Sequence, residues 1–312
     1  MMKWTRDIVT LMMTIGSLII LPAVSSAQTD LDGIMMNRKQ FCNGLTYEHA
    51  SWKNYWEGTL KRENLNMGTV TTQNVMIMPN YGITDNLNVM AALPYIWTKT
   101  SAGNLNGMKG LQDLSVHVKW RFLKRELAKG KLSLMAIGGV STPTSNYVID
   151  FLPMSIGLGS TNVTGRLLAD YQYKHFSLTG SAAYVWRSNV NLDRTSYYDT
   201  QLHLTNEVKM PDAAQFQLRG GYRGKYLIAE ALLYNWTTLG GFDISRNNMP
   251  FPSNRMNMTS VGLHIKYTLP MFTNLALLAG GDYVVAGRNV GQTQAFHVGA
   301  FYAFYFGKHK KS

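Results

Sequence analysis

The sequence predicts an all-β fold: a closed, up-and-down transmembrane β-barrel of about twelve antiparallel strands. Three observations predict it. Residues 114–122 alternate without a break, with Leu114, Val116, Val118, Trp120 and Phe122 apolar and Ser115, His117, Lys119 and Arg121 polar or charged between them. Successive strand side chains point to opposite faces, so one face is oily and the other wet and basic. The connections between such stretches run long, short, long, short along the chain, as in barrels with long extracellular loops and short periplasmic turns. The chain also opens with an export signal, after which no apolar stretch is long enough for a membrane-crossing helix.

The signal is read over residues 1–27. Lys3 and Arg6 precede an uncharged run from Ile8 to Val24, and Ser25-Ser26-Ala27 supplies small residues for cleavage. A membrane anchor is the other reading of this run, but it is short for a span and Pro22 interrupts it. The mature chain is expected to begin near Gln28. Its single cysteine, Cys42, excludes a disulfide framework and stands too far from the apolar run to be a lipid acceptor. Mean hydropathy is −0.12, far below that of a helical membrane protein, yet Tyr, Phe and Trp number 17, 12 and 7.

Residues 28–45 have no clean period and read as a periplasmic N-terminal segment; the barrel is expected over 46–306. The first strand is placed at 46–58, on Tyr47, Trp52, Tyr55 and Trp56, and the second at 68–81. Gly82 to Asn86 then forms a tight turn, because Gly, Asp and Asn accept the backbone angles such turns need. The third strand, 87–98, presents Leu87, Val89, Ala91, Leu93, Tyr95 and Trp97 on one face. A Gly/Asn-rich loop leads to the fourth, 114–122. Residues 124–131 read as a charged turn, and the fifth strand follows at 132–141.

A long loop with Pro143 and Pro153 precedes the sixth strand, 162–173. Lys174-His175 turns the chain into the seventh, 176–187, with Phe176 and Trp186 at the two ends of its apolar face, where two membrane interfaces select aromatics. The longest connection, 188–212, carries Tyr197 and Tyr198. The eighth strand, 213–222, turns at Arg223-Gly224-Lys225 into the ninth, 226–237, whose facing is ambiguous. After a loop with Pro250 and Pro252, the tenth, eleventh and twelfth strands are placed at 258–269, 275–286 and 293–306. An even count puts both ends on the periplasmic side. Closure satisfies every backbone N–H and C=O without water, as lipid requires.

If the apolar faces look outward, parity sends Lys119, Arg121, Arg166, Arg187, Arg219 and Lys266 into the lumen, with Asp113, Asp170, Glu230 and Asp282. Two readings follow. The charges form an ion-pair network that fills a narrow barrel, or they line a mildly basic, wet passage. The formal net charge of +12 is no nucleic-acid footprint in an exported chain; it favours anionic solutes or anionic headgroups, or is a solvated surface.

Nothing points to catalysis. His49-Ala50-Ser51 and His203-Leu204-Thr205 lack the Asn-Gly that follows the His–Ser pair of membrane phospholipases, and no phosphate or dinucleotide loop occurs. His117, His264 and His297 face inward by parity but fall on three strands without metal-ligand spacing, so each reads as solvated or satisfied. No cofactor is expected. Paired glycines at 138–139, 220–221 and 280–281 suit bends and close backbone approach in a curved sheet. An adhesin or scaffold acting through its loops is the second class of function.

Two stretches carry a resemblance. Tyr81-Gly82-Ile83-Thr84-Asp85-Asn86-Leu87, followed by Leu93-Pro94-Tyr95, resembles a hairpin of the family named after the MetA pathway of phenol degradation. Gly110-Leu111-Gln112-Asp113-Leu114, running into Lys119-Trp120-Arg121-Phe122, is similar to the next strand of that family, with Gln112 where Gly is usual and Trp120 where Tyr is usual. The resemblance implies an outer-membrane barrel that passes small, often hydrophobic or aromatic, compounds; it brings no catalytic residues. The aromatic last strand also looks like the signal read by the barrel assembly machinery, although a basic tail, 307–312, follows Phe306. The expected role is passive or facilitated passage of a small solute, hydrophobic or anionic, with outer-membrane lipid around the barrel.

Overall fold

Alternating strands hide their polar backbone only by pairing on both edges, and the sheet closes on itself to do so. A computed structural model describes residues 21–22, 28–245 and 248–306; the signal peptide read over 1–27, apart from 21–22, and the tail 307–312 lie outside them. Twelve long strands form the barrel: β1 Gln40–Trp52, β2 Val70–Thr84, β3 Leu87–Thr100, β4 Asp113–Leu127, β5 Gly130–Pro143, β6 Asn162–Tyr173, β7 Phe176–Arg187, β8 Ala213–Arg223, β9 Leu227–Thr238, β10 Asn257–Thr268, β11 Leu275–Arg288 and β12 Gln294–Tyr305. Each pairs antiparallel with its chain neighbours, and β12 pairs with β1 from Gln40↔Tyr305 to Ser51↔Gln294, which closes the barrel.

Orientation follows the alternation. Trp120 is 53% exposed, while its neighbour Lys119 is fully buried; Val116, Val118, Leu167, Leu218, Leu233, Leu263 and Val298 are exposed around the wall. A soluble sheet would pack this belt against a second layer; here it has none, so it faces hydrocarbon. The ambiguous ninth strand resolves the same way, with Leu227, Ala231 and Leu233 outward and Glu230 and Leu232 inward. Phe41, Phe304, Phe306 and Tyr81 cluster at the periplasmic end, with ring centroids 5.1–6.2 Å apart.

The expected turn over Gly82 to Asn86 is shorter, because β2 runs on to Thr84 and only Asp85 and Asn86 turn; three further boundaries differ, each for a physical reason. The first strand begins at Gln40 rather than at 46, and the aromatics Tyr55 and Trp56 belong to a separate loop hairpin, Asn54–Glu57 with Leu60–Glu63. Its period is obscured by Gly44, where any Cβ would come within 2.3 Å of the Phe301 ring. The charged stretch after residue 122 is strand rather than turn: β4 and β5 pair out to Leu127↔Gly130, and only Ala128 (φ 53°) and Lys129 turn. Strands that project beyond the bilayer have no lipid face to keep apolar. Arg223, read as a turn residue, is the last residue of β8 and points inward.

The long loops share one end and pack on one another. Val190, Leu192, Tyr197, Val208 and Met210 form a buried cluster against Ile149, Leu158 and Phe251 of the adjacent loops. Tyr197 stacks on His203 at 4.6 Å and on Phe251 at 5.4 Å, so half of the Tyr197-Tyr198 pair is structural. Arg288 at the top of β11 hydrogen-bonds Asp243 at 2.6 Å, and this holds the Asp243 carboxyl down at about 2.

Lipid-face parity predicts an asymmetric response to charge. Val118→Arg should destabilise the folded barrel by about 2–4 kcal/mol in urea titrations from lipid vesicles, and Val118→Leu should be near neutral. Equal effects of the two would place this face away from hydrocarbon.

Candidate functional site

The inward face is occupied by the chain's own N-terminal segment. Residues 28–39 precede β1 at the periplasmic end and run inside the barrel, where Gln28, Asp32 and Met36 are buried. Inward side chains of distant strands hold their backbone. Asn80 Nδ2 of β2 donates to Gln28 O at 3.1 Å, Asn88 Nδ2 of β3 to Met36 O at 3.2 Å, and Gln217 Nε2 of β8 to Leu31 O at 2.8 Å. Met36 packs with Cys42, Ala276, Phe301 and Ala303; Met35 packs on Met135, Ile137 and Leu168. The segment therefore bridges opposite walls as a plug.

Lys119 is the central anchor. Its ammonium donates to Thr29 O at 2.9 Å, Asp32 O at 2.6 Å and Asp32 Oδ1 at 3.2 Å. All three ammonium donors are thus used, and the one charge is met by one carboxylate in a dry setting, where charge-assisted bonds are strong. The Asp32 carboxylate also accepts from the N–H groups of Thr29 (2.7 Å) and Ile34 (2.9 Å), which fixes the turn of the plug.

A second network fills the wall under the plug on β6–β9. Arg223 reaches Asp170 at 3.0 Å and Glu230 at 2.8 Å; Thr179 donates to Asp170 at 2.5 Å and Ser177 to Glu230 at 2.9 Å. Arg219 lies 3.5 Å from Glu230. Arg166 donates to Ser181 at 3.2 Å and Gln215 at 2.5 Å and faces Asp30 of the plug at 3.6 Å.

The expected lumen residues thus face inward but do not form an open basic ring. Lys119 and Arg166 bind the plug; Arg187, at the outer rim, donates to Pro211 O at 3.2 Å. Arg121 is at the periplasmic rim, where a register shift after it turns its guanidinium onto Asp85 O (2.9 Å) and Asn86 Oδ1 (2.8 Å). Only Arg219 and Lys266 of the six cations border the remaining space. Asp170 is inside the ion network, Asp113 accepts from the Tyr147 hydroxyl at 2.8 Å near the loops, and Asp282 meets two histidines.

That space is a cavity of about 430 Å³ between the plug and the other half of the wall, β1–β3 and β10–β12. Met76, Met78, Pro94, Ile96, Leu278 and Phe301 give it an apolar side, Glu48, Asn74, His264, Asp282 and His297 stand on the same half of the wall, and Asp30 and Asp32 of the plug with Arg219, Glu230 and Lys266 add further charges. The space thus has an apolar side and a charged one, and its volume is that of a small-molecule site.

No family model matches the sequence, and no curated protein matches it. Among solved structures, the COG4313 outer membrane channel from Pseudomonas putida F1 superimposes with a TM-score of 0.67 at 14% identity, over 90% of this chain and 100% of that one. The fold is that of an outer-membrane barrel. The NanC porin (TM-score 0.46, 7% identity, 82% and 98% covered) and a FadL homologue from Pseudomonas aeruginosa (0.40, 11%, 86% and 91%) also align.

Sequence reading missed the plug and its ligands Asn80, Asn88 and Gln217, because polar residues at inward positions look alike whether they meet water or backbone. It also separated His264 from His297, which the register brings together.

Removing the Lys119 charge takes from buried Asp32 the one cation in direct contact with it, and breaking a buried pair in this way costs about 3–5 kcal/mol. Lys119→Met should therefore accelerate amide exchange at Ile34 and Met36 at least tenfold while the strand amides stay protected. Unchanged exchange at those two amides would show that the ammonium does not hold the plug.

Proposed function

We propose that this protein is an outer-membrane channel that passes a small, predominantly apolar solute without energy coupling. The observation that carries this reading is the cavity between plug and wall, with Met76, Met78, Pro94, Ile96, Leu278 and Phe301 along one side. The likeness of residues 81–122 to the MetA-pathway family agrees with it, since that family is assigned to hydrophobic or aromatic compounds. A freely diffusing anion would need a wet, positively charged path, and Lys119, Arg121, Arg166, Arg187 and Arg219 are instead committed to the plug, the rim or their wall neighbours. Passage then needs the plug to shift, and the outer loops set the entrance. Assembly machinery reading the aromatic β12 and lipid covering the apolar belt complete the proposed setting.

The second reading is a non-conducting scaffold or adhesin, favoured by the ion network that fills β6–β9. Proteoliposomes separate the two. Influx of a small aromatic probe should exceed that of protein-free vesicles, rise severalfold on deletion of residues 28–39, and fall severalfold in Met78→Trp, with heat-modifiability on gels unchanged. Influx equal to that of bare lipid for both the full and the deleted barrel would sink the channel reading.

A further inference from the structure

The lumen carries a side-chain cluster that the solute path does not require. Three neighbouring strands supply it: His264 from β10, Asp282 from β11 and His297 from β12. The register explains the meeting. His264 and His297 both stand opposite Gly280, one on each side of β11, and Asp282 follows two residues along on the same inward face. His264 Nε2 lies 3.2 Å from both Asp282 oxygens, and His297 Nδ1 lies 3.9 Å from Oδ2. The two imidazoles are nearly perpendicular, 4.7 Å between centroids. One donor atom from each of the three residues falls within 4.8 Å of the others.

We propose that His264, Asp282 and His297 form a binding site for a divalent first-row transition-metal ion such as zinc. An ion about 2.0–2.1 Å from each N or O ligand sets neighbouring tetrahedral donors about 3.3 Å apart; His264 and Asp282 already stand at 3.2 Å, and His297, at 3.9 Å from Asp282, has to close in by a side-chain adjustment. Two imidazoles and one carboxylate select zinc, nickel, cobalt or copper over calcium or magnesium, which prefer all-oxygen sets. The backbone is cut to fit the cluster. A Cβ at Gly280 would come within 2.4 Å of His297 Nε2, and one at Gly262, the register partner of Asp282, within 2.1 Å of Asp282 Oδ1. Two glycines in successive strands thus leave room for one imidazole and one carboxylate.

The three side chains line the same cavity, so a fourth coordination position faces open space, as in metal sites that exchange a water or a ligand. Glu48 of β1 stands opposite His297 in register and is oriented by Asn74 Nδ2 at 3.2 Å, which adds a second carboxylate to the same wall. Such an ion would tie β10, β11 and β12 together across the seam near barrel closure and offer a Lewis-acidic point to a solute that carries a donor atom. The site is independent of whether the barrel conducts.

The test uses the full, refolded barrel without a histidine tag, stripped with chelator and titrated with zinc chloride, then with cobalt for its visible spectrum. One equivalent of zinc should bind, and cobalt should give the intense visible bands of a low-coordinate ion. The double variant His264→Gln/His297→Gln should weaken zinc binding at least about 100-fold, since loss of outer-shell partners alone costs 10–100-fold. Gly280→Ala should weaken it by crowding His297, and His117→Gln, on a different wall, should leave it unchanged. Heat-modifiability checks that each variant is folded. A folded barrel that binds no zinc, or whose binding survives the double variant, overturns the assignment.

Discussion

Hydrocarbon outside a closed sheet leaves charged strand residues one direction in which to point. Every second side chain must be apolar, and its neighbours, whatever their charge, share a lumen of fixed size. The positive charges Lys119, Arg166, Arg219 and Arg223 are therefore not optional lining. Each must find an acceptor inside, since an unpaired charge in a dry interior costs far more than any single hydrogen bond returns. Asp170 and Glu230 meet part of this demand from the wall itself. The remainder comes from Asp30, Asp32 and the carbonyls of the plug.

This couples the plug to the barrel electrostatically rather than by shape alone. Lys119 sits at 0% exposure with Asp32 at 4%. Neither group is tolerable there without the other, so the plug and β4 are positioned as one unit. The apolar residues of the segment, Met35 and Met36, dock on opposite walls, Met36 beside Phe301 and Met35 on Met135, and methionine contacts of this kind tolerate small shifts without a large packing loss. The fixed point of the segment is thus a polar pin at Lys119, and the rest of its docking is adaptable apolar packing.

Most of the barrel was legible because the alternation of β4, β6, β7 and β12 is a local consequence of lipid contact. The asymmetry of loops and turns was legible for the same reason, as was the inward direction of the cations. What could not be read depends on register and closure. Nothing local says that His264 and His297 share Gly280 as a partner, or that Arg121 is followed by a shift that turns it to the rim. The plug was hidden because residues 28–39 have no period: their order comes from side chains far along the chain, 52 positions away for Asn80 and 186 for Gln217. The early start of β1 was hidden by Gly44 and Cys42, inward positions made small by Phe301 and the plug.

The two halves of the lumen differ in a way that bears on use. On β6–β9 the inward side chains are long and charged, and they close the space by pairing. On β1–β3 and β10–β12 methionine, isoleucine, leucine and glycine stand among polar groups such as Glu48, Asn74, His264 and Asp282, and together they leave part of the space unfilled. Gly262, Gly280 and Gly299 thin the wall further on this side, each beneath a neighbouring side chain. A uniform polar filling would have given a solid post, and a uniform apolar one a barrel with no fixed plug. The division gives both a rigid seat for the N-terminal segment and an unfilled strip beside it. That strip is the part of the lumen that can be occupied without breaking the pairs by which Lys119 and Arg223 hold the plug and the wall.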